Sequence, residues 1–192
     1  AGASRVMMID IDAHHGNGTQ DIFWSDPRVL HVDIHEWGIY PGTGWVTDIG
    51  GRGVEGTKVN IPLEAYSGDG EYEWILRRVV EPLAEAFKPE AVVVSLGVDA
   101  FAGDPLTNLM TTRRTYEAFG KFVGDLVRSG RVKGVVLVVE GGYGVRGLRE
   151  GVRGFVEGLL GLAEPAPVEE RSPRDDVARE LKRILADYWN VG

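Results

Sequence analysis

Four short apolar runs limit the folds that this chain can adopt: RVMMIDI (5–11), VLHVDI (29–34), AVVVSL (91–96) and GVVLVV (134–139). Their hydrophobicity is continuous rather than alternating, which is typical of strands buried on both faces of a parallel sheet. Amphipathic helical patterns follow at residues 71–87 and 115–127, and Pro82 should kink the first of them. This order predicts an α/β fold, with an open, mostly parallel sheet and helices on both faces.

Composition limits the metal ligands and the binding partners that the chain can have. The 192 residues contain no cysteine, so any metal must bind to oxygen and imidazole ligands. A net charge of -8 argues against direct nucleic-acid binding. No apolar run reaches the roughly 20 residues that span a bilayer, and the first residues do not resemble a signal peptide. We therefore expect a cytoplasmic protein without a membrane partner.

Acidic and histidine residues follow the first and third apolar runs. Because side chains alternate along an extended chain, Asp10, Asp12 and His14 share one face, and Asp99 could converge on them. Ligands in open α/β sheets bind beyond the carboxyl ends of the strands. Two carboxylates and one imidazole leave open positions on a metal ion, as in catalytic zinc sites. The pattern predicts a metal site, which iron, manganese or cobalt would also fit.

Other polar residues near the strand ends have simpler interpretations. Asp104 precedes a proline and is expected to form a turn or cap a helix. His15 and His31 are expected to be buried, hydrogen-bonded histidines, with support of a metal ligand as the next option for His15. The role of His35 stays open. Tyr143 follows two glycines after a strand, so it is either a core tyrosine or a side chain presented to the crevice.

Two stretches match the dinucleotide fingerprint G-x-G-x-x-G, namely GRGVEG (51–56) and GYGVRG (142–147). The first follows no predicted strand. The second lacks an acidic residue after a following strand, because the chain continues into a proline-rich segment. Nucleotide binding is therefore not expected.

The segment AEPAPVEERSP is typical of a linker. We expect a domain at residues 1–163 and a tail at 164–192 that comprises this linker and a last helix. Ser172 and Pro173 should cap and begin a last helix. Its apolar residues at helical spacing predict that the tail packs on the domain; they are Val177, Leu181, Ile184 and Tyr188.

Four ordered motifs, DIDAHHGNGTQDIF, PGTG, LGVDAFAGDPL and EGGYG, resemble those of the zinc-dependent histone deacetylase family, within the arginase and deacetylase superfamily. The resemblance extends over about Arg5 to Leu160. It is strongest to class II deacetylases and to bacterial and archaeal deacetylase-like amidohydrolases, which include acetylpolyamine hydrolases. It implies an arginase/deacetylase-like three-layer fold.

The resemblance also implies residue roles. Asp12, His14 and Asp99 would be the zinc ligands, and Tyr143 would hydrogen-bond the acetyl carbonyl. The implied reaction removes acetyl groups from acetyl-lysine or acetylpolyamines through a metal-activated water. This is a hydrolase reaction on a non-peptide C–N bond.

A second implied site binds a monovalent ion, potassium in the family. It would comprise Asp10, Asp12, His14, Asp33 and Ile34, partly through backbone carbonyls. Several family members have serine at the position of Asp33, so this chain adds a negative charge beside the ion.

The remaining implied roles concern the substrate tunnel and supporting residues. Tyr40, Leu106 and Gly142 fall where the family lines its acyl-lysine tunnel. His15 and Asn17 fall in the shell around the metal and catalytic residues. Family members use a pair of adjacent histidines as general base and general acid, and Asn17 would support one of these histidines.

That pair of adjacent histidines lies well before the DIDAHH strand in family members. We expect this chain to be the C-terminal part of a deacetylase domain, lacking the N-terminal strands and exposing an apolar sheet edge. The partner would be a separate N-terminal half or another copy of the chain. Two alternatives stay open: a metal-binding or partner-binding module without catalysis, and, with less support, a manganese-dependent ureohydrolase of the arginase type.

Overall fold

The computed structural model describes residues 2–191 and contains one five-stranded sheet. All paired strands are parallel, in the order β3-β2-β1-β4-β5. The strands are β1 (Val6–Asp10), β2 (Val29–Glu36), β3 (Lys58–Leu63), β4 (Ala91–Leu96) and β5 (Val135–Val139). The predicted α/β class is confirmed. The four apolar runs form β1, β2, β4 and β5, whereas the sequence of β3, KVNIPL, gave no strand signal because lysine, asparagine and proline interrupt it.

Six α-helices accompany the sheet among the described residues: α1 (Asn17–Ile22), α2 (Asp69–Ile75), α3 (Glu81–Phe87), α4 (Arg113–Arg128), α5 (Val145–Leu159) and α6 (Asp175–Trp189). Helices α4 and α5 approach each other closely at glycines. A Cβ on Gly120 would lie 2.1 Å from the carbonyl oxygen of Phe155, so only glycine permits this packing.

The helix at 71–87 departs from regular α-helical geometry before Pro82 rather than at Pro82, where the kink was predicted. A π-helical turn, Leu76–Val80, separates α2 from α3, and Pro82 lies in the first turn of α3. Proline is tolerated in a first turn because its missing N–H would have no intrahelical acceptor there. The chain therefore accommodates Pro82 through the wide turn that precedes it.

The start of the last helix was predicted wrongly. Helix α6 begins at Asp175, and Arg174 is its N-cap residue. The hydroxyl of Ser172 instead donates to the carbonyl oxygen of Pro173, so it does not cap the helix. Asp175 and Asp176 occupy the first turn, where negative charge interacts favourably with the helix dipole.

Helix α6 packs on the rest of the domain through its apolar face. Val177, Leu181 and Ile184 are buried within the main core, whereas Tyr188 is partly exposed. The indole of Trp189 donates to the carbonyl oxygen of Gly56 at 2.9 Å and packs edge-on against Phe87. The helix therefore contacts both the loop before β3 and the end of α3.

The two edges of the sheet differ in exposure. All six residues of the edge strand β3 are buried. The other edge strand, β5, exposes Val136, Val138 and Val139, each to between 41% and 56%. In the described part of the chain, no helix combines the length and apolarity needed to cross a bilayer. The exposed valines of β5 make this edge an apolar surface.

Lys58 gives the fold a testable pH dependence. Its side chain is fully buried, and burial lowers the pKa of its ammonium group to about 8 from 10.5. Between these values the unfolded chain binds more protons than the folded one, so this group makes the protein more stable as pH rises. We expect wild-type protein to gain stability relative to Lys58→Met between pH 8 and pH 10.5. Denaturant unfolding of both proteins across this range measures the difference, and a constant difference would contradict it.

Candidate metal centre and active site

Three side chains that could bind a metal converge where the sheet topology reverses. From β1 the chain proceeds to β2 and β3 on one side, and it later returns to β4 on the other. Asp12 and His14 follow β1, and Asp99 follows β4, so the three meet at the carboxyl ends of adjacent strands. The Nδ1 atom of His14 lies 2.8 Å from Asp99 Oδ2 and 3.2 Å from Asp12 Oδ1. Their ligand atoms all lie within 4.8 Å of one another.

Backbone N–H groups hold both carboxylates in place. Ala13 N donates to Asp99 Oδ1 at 2.8 Å, and Gly141 N donates to Asp12 Oδ2 at 2.7 Å. A Cβ on Gly141 would lie 2.4 Å from Asp99 Oδ2 and 2.5 Å from Asp12 Oδ2. Glycine is therefore required at this position, because any side chain would occupy the space between the carboxylates.

The electrostatics and donor atoms of this group suit a divalent metal. Burial and the neighbouring charge of Asp12 raise the pKa of Asp99 to about 6. Two oxygen donors and one imidazole nitrogen converge, and His14 is partly open to solvent. This donor set fits a zinc ion that retains an open position. Asp12, His14 and Asp99 are the residues that would hold it.

Tyr143 lies near the same carboxylates, on the loop between β5 and α5. Its side chain is 55% exposed. Slight desolvation and the charges of Asp99, Asp12 and Asp104 raise the pKa of its phenol above 10.0. The hydroxyl therefore stays protonated near neutral pH and can donate a hydrogen bond. Of the two interpretations of Tyr143, the core tyrosine is wrong.

Asp104 anchors the loop that carries Tyr143. Its Oδ2 accepts the backbone N–H of Tyr143 at 2.9 Å and that of Gly144 at 3.0 Å. Its Oδ1 accepts the N–H of Leu106 at 3.0 Å, which confirms the expected turn. The contact to the Tyr143 loop was not predicted, because 39 residues separate the partners in sequence.

Substitution of Asp104 should therefore affect turnover but not metal binding. We expect Asp104→Ala to leave zinc affinity unchanged. Given the catalytic role that the resemblance implies for Tyr143, the variant should lower kcat by up to about 10²-fold, because a misplaced catalytic group loses its alignment. The measurement is steady-state deacetylation together with zinc titration. Loss of zinc binding in this variant would show that Asp104 supports the metal site instead.

The predicted supporting residues, His15 and Asn17, lie next to Gly16 in the segment after His14. His15 Nδ1 lies 2.8 Å from the hydroxyl of Thr43, and His15 Nε2 lies 3.3 Å from Gln20 Oε1. Asn17 begins α1 and is exposed. Neither side chain joins the group of Asp12, His14 and Asp99. The hydrogen bonds of His15 tie α1 to the PGTG loop, as expected for a buried, hydrogen-bonded histidine.

The predicted tunnel residues are exposed rather than enclosed. Tyr40 is 80% exposed and Leu106 is 55% exposed. Gly142 lies beside Tyr143, and a Cβ there would lie 2.6 Å from Val98 Cγ2. Within residues 2–191 the side chains of Tyr40 and Leu106 are therefore open to solvent, and the substrate role of the three residues stays a prediction.

Two of the residues implied for a monovalent ion, Asp10 and Asp33, belong to a second buried group, whereas Asp12 and His14 belong to the first. Asp10, His31 and Asp33 place ligand atoms within 4.8 Å of one another, and Ile34 is buried beside Asp33 on β2. Burial and the charge of Asp33 raise the pKa of Asp10 well above 3.8. The expectation that His31 is hydrogen-bonded is wrong for the described residues, since neither ring nitrogen has a hydrogen-bond partner among them.

His35, whose role was open, orients this second group. Its Nε2 donates to the carbonyl oxygen of Gly44 at 2.9 Å, and its Nδ1 lies 2.6 Å from Asp33 Oδ1. Burial opposes ionisation of Asp33, but the charge and hydrogen bond of His35 outweigh it and lower the pKa of Asp33. The prediction missed this group, and the only sequence pattern that points toward it is the alternation of His31, Asp33 and His35 within one buried strand.

The fold and site define an α/β protein with a candidate metal centre of two aspartates and one histidine at the carboxyl ends of its parallel strands. Comparison with known proteins specifies the class further. The model of the Histone deacetylase domain family matches residues 1–159. The chain belongs to the histone deacetylase family.

Relatives and solved structures agree with this assignment. The chain is 40% identical to an uncharacterized protein of Methanocaldococcus jannaschii, over 97% of this chain and 54% of that protein. It is 39% identical to a probable deacetylase of Archaeoglobus fulgidus, over 76% of this chain and 41% of that protein. The HDA15 HD domain matches with a TM-score of 0.82 and 35% identity, over 98% of this chain and 52% of that chain. The chain thus spans about half the length of these relatives.

Proposed function

We propose that this chain provides the metal centre of a zinc-dependent deacetylase, which hydrolyses acetyl-lysine or acetylpolyamine substrates. The observation that supports this most directly is the convergence of Asp12, His14 and Asp99 beside the Tyr143 loop. Membership of the histone deacetylase family supports deacetylation over the ureohydrolase alternative.

Each residue would have a distinct role in the reaction. When bound, zinc supplies the Lewis acidity that polarises a carbonyl and lowers the pKa of a water molecule. The Tyr143 hydroxyl donates a hydrogen bond to the acetyl oxygen as negative charge develops there. Asp104 fixes the backbone of Tyr143, and Gly141 N–H fixes the orientation of Asp12.

The exposed edge of β5 supports a further proposal about partners. Unpaired strand edges with apolar side chains readily accept another strand. We propose that further polypeptide covers Val136, Val138 and Val139. It would be an N-terminal half, which would also supply the histidine pair implied by the family, or another copy of the chain, which would cover the edge alone. Size-exclusion chromatography with light scattering tests whether the chain alone self-associates.

Acetate release from an acetyl-lysine peptide tests the proposed activity. We expect the zinc-loaded protein to release acetate, and a chelator to abolish the release. Acetylputrescine as the substrate tests the polyamine option. Turnover that persists in chelator would contradict the proposal.

The second candidate function is metal binding without catalysis. The exposed positions of Tyr40 and Leu106 favour it, because residues 2–191 do not enclose a substrate. Stoichiometric zinc without acetate release from either substrate would identify this alternative. Addition of the N-terminal half of a relative would then test whether a covering segment restores turnover.

A further inference from the structure

Glu36 is a buried acidic residue at the end of β2, and its side chain is 3% exposed. Its backbone N–H donates to the carbonyl oxygen of Ala13 at 2.9 Å, and Ala13 lies between Asp12 and His14 in the chain. A buried carboxylate is costly unless hydrogen bonds or a cation compensate for its lost hydration. The partners of the Glu36 carboxylate therefore show which part of the fold this charge supports.

Both carboxylate oxygens of Glu36 accept hydrogen bonds from one residue, Asn108. Oε2 accepts the backbone N–H of Asn108 at 2.7 Å, and Oε1 accepts its side-chain Nδ2 at 2.8 Å. Hydrogen bonds to an ionised acceptor are roughly twice as strong as those between neutral groups. Glu36 therefore fixes both the backbone and the side chain of Asn108, although 72 residues separate the two in sequence.

Asn108 belongs to the segment between β4 and α4, which also contacts the proposed zinc centre. The hydroxyl of Thr107 donates to the backbone carbonyl oxygen of Asp99. The carboxylate of Asp99 in turn accepts the N–H of Ala13 at 2.8 Å. Because Ala13 also accepts the N–H of Glu36, these contacts form a closed loop around the metal-binding side chains. Glu36 is the member of this loop that belongs to β2.

The residues just before Asn108 have expected roles toward the substrate. Asp104 holds the backbone N–H of Tyr143 at 2.9 Å, and it also accepts the N–H of Leu106 at 3.0 Å. Leu106 falls where the family lines its tunnel, and its side chain is 55% exposed. A shift of segment 104–110 would therefore displace an implied substrate contact together with the anchor of Tyr143.

The loop after β3 supports the other side of this segment but is itself a less rigid partner. Tyr66 N donates to the carbonyl oxygen of Asn108 at 3.0 Å, and Met110 N donates to that of Ser67 at 2.8 Å. Tyr66 is 76% exposed and has a φ of 71°, which is unfavourable for a residue with a side chain. Glu36, in contrast, belongs to a strand that is paired on both sides. The sheet therefore fixes the position of the segment through Glu36.

We propose that Glu36 is a positioning residue of the deacetylase site, which holds segment 104–110 in the conformation that receives the acetylated substrate. This inference rests on the proposed function. Glu36 acts through Asn108 and not on the reacting atoms themselves. Without Glu36 the segment occupies its binding-competent conformation for a smaller fraction of the time, and the apparent affinity for substrate falls by that fraction. Saturating substrate selects the competent conformation again, so KM changes more than kcat.

Steady-state kinetics of the zinc-loaded protein on an acetyl-lysine peptide test this role. We expect Glu36→Ala to raise KM by at least about tenfold and to leave kcat within about threefold of wild type, with an unchanged zinc count. Asp104→Ala should differ, because it removes the anchor of Tyr143 and lowers kcat. An unchanged KM in folded Glu36→Ala would overturn the proposal. Loss of zinc would overturn it too, because Glu36 would then support the metal centre.

Paired substitutions separate the contact between Glu36 and Asn108 from a general loss of stability. Asn108→Asp places a second carboxylate opposite Glu36, so it should raise KM at least as much as Glu36→Ala. Adding Glu36→Gln to Asn108→Asp restores a donor opposite an acceptor, and KM should return to within about threefold of wild type. A double variant no better than Asn108→Asp would contradict the proposal. The matched control is Glu73→Ala, which removes a buried carboxylate that pairs with Arg77 and Arg114 and should leave KM unchanged.

Amide hydrogen exchange measures the order of the segment without any turnover. Asn108 is exposed, so Asn108→Asp should fold even if Glu36→Ala does not. We expect the amides of residues 106–110 to exchange at least about tenfold faster in Asn108→Asp than in wild type, and at the wild-type rate in the double variant. Equal exchange in Asn108→Asp and wild type would overturn the proposal, whether or not acetate is released. The expected exchange pattern without acetate release from wild type would contradict only the proposed function.

Discussion

Replacement of Asp99 by alanine should abolish zinc binding at the centre that we propose for Asp12, His14 and Asp99. Loss of an outer partner of a metal ligand typically costs 10–100-fold in affinity, so loss of the ligand itself should cost more than about 10²-fold. The carboxylate of Asp99 is also 2.8 Å from His14 Nδ1, so its removal leaves the imidazole without its closest partner. Zinc titration against a chromophoric chelator measures the change.

Two further variants make this test specific. Asp125→Ala removes an exposed carboxylate from α4 and should leave zinc affinity unchanged. Gly141→Ala keeps all three ligands but places a Cβ 2.4 Å from Asp99 Oδ2, so it should also weaken zinc binding strongly. Zinc affinity equal to wild type in Asp99→Ala would show that the site is assigned to the wrong residues.

Much of this site could be predicted from the sequence, because apolar runs and side-chain alternation depend only on residues that are close together in the chain. Continuous apolar runs identified four of the five strands, and side-chain alternation placed Asp10, Asp12 and His14 on one face. The rule that ligands bind at the carboxyl ends of parallel strands brought Asp99 to the same point. None of these inferences required knowledge of long-range contacts.

Other features depended on contacts that the sequence does not encode locally. His31 resembles an ordinary buried histidine until the pairing of Asp10 with Asp33 is known. Asp104 resembles a simple turn residue until the Tyr143 loop folds against it. The hydroxyl of Ser172 could cap a helix, but it binds Pro173 instead, and α6 begins later. In each case tertiary structure selected among several reasonable local interactions.

Substitution of Tyr143 by phenylalanine should separate catalysis from metal binding. Asp12, His14 and Asp99 are the proposed zinc ligands and Tyr143 is not one of them, so the zinc count should equal that of wild type. Loss of one donor to a developing oxyanion typically lowers kcat by about 10²–10³-fold, and we expect this loss for Tyr143→Phe. The comparison uses protein with chelator-sensitive acetate release and measures kcat and KM on an acetyl-lysine peptide. Tyr66→Phe, which alters an exposed tyrosine, should retain full activity.

The structure supports an effect on kcat rather than on folding or loop position. The backbone of Tyr143 is held by Asp104 Oδ2 through its N–H, and this bond does not involve the hydroxyl that the variant lacks. The side chain is 55% exposed, so removal of the hydroxyl leaves no buried polar partner unsatisfied. A normal kcat in Tyr143→Phe would therefore mean that another group stabilises the oxyanion. A reduced zinc count would mean instead that the hydroxyl supports the metal centre.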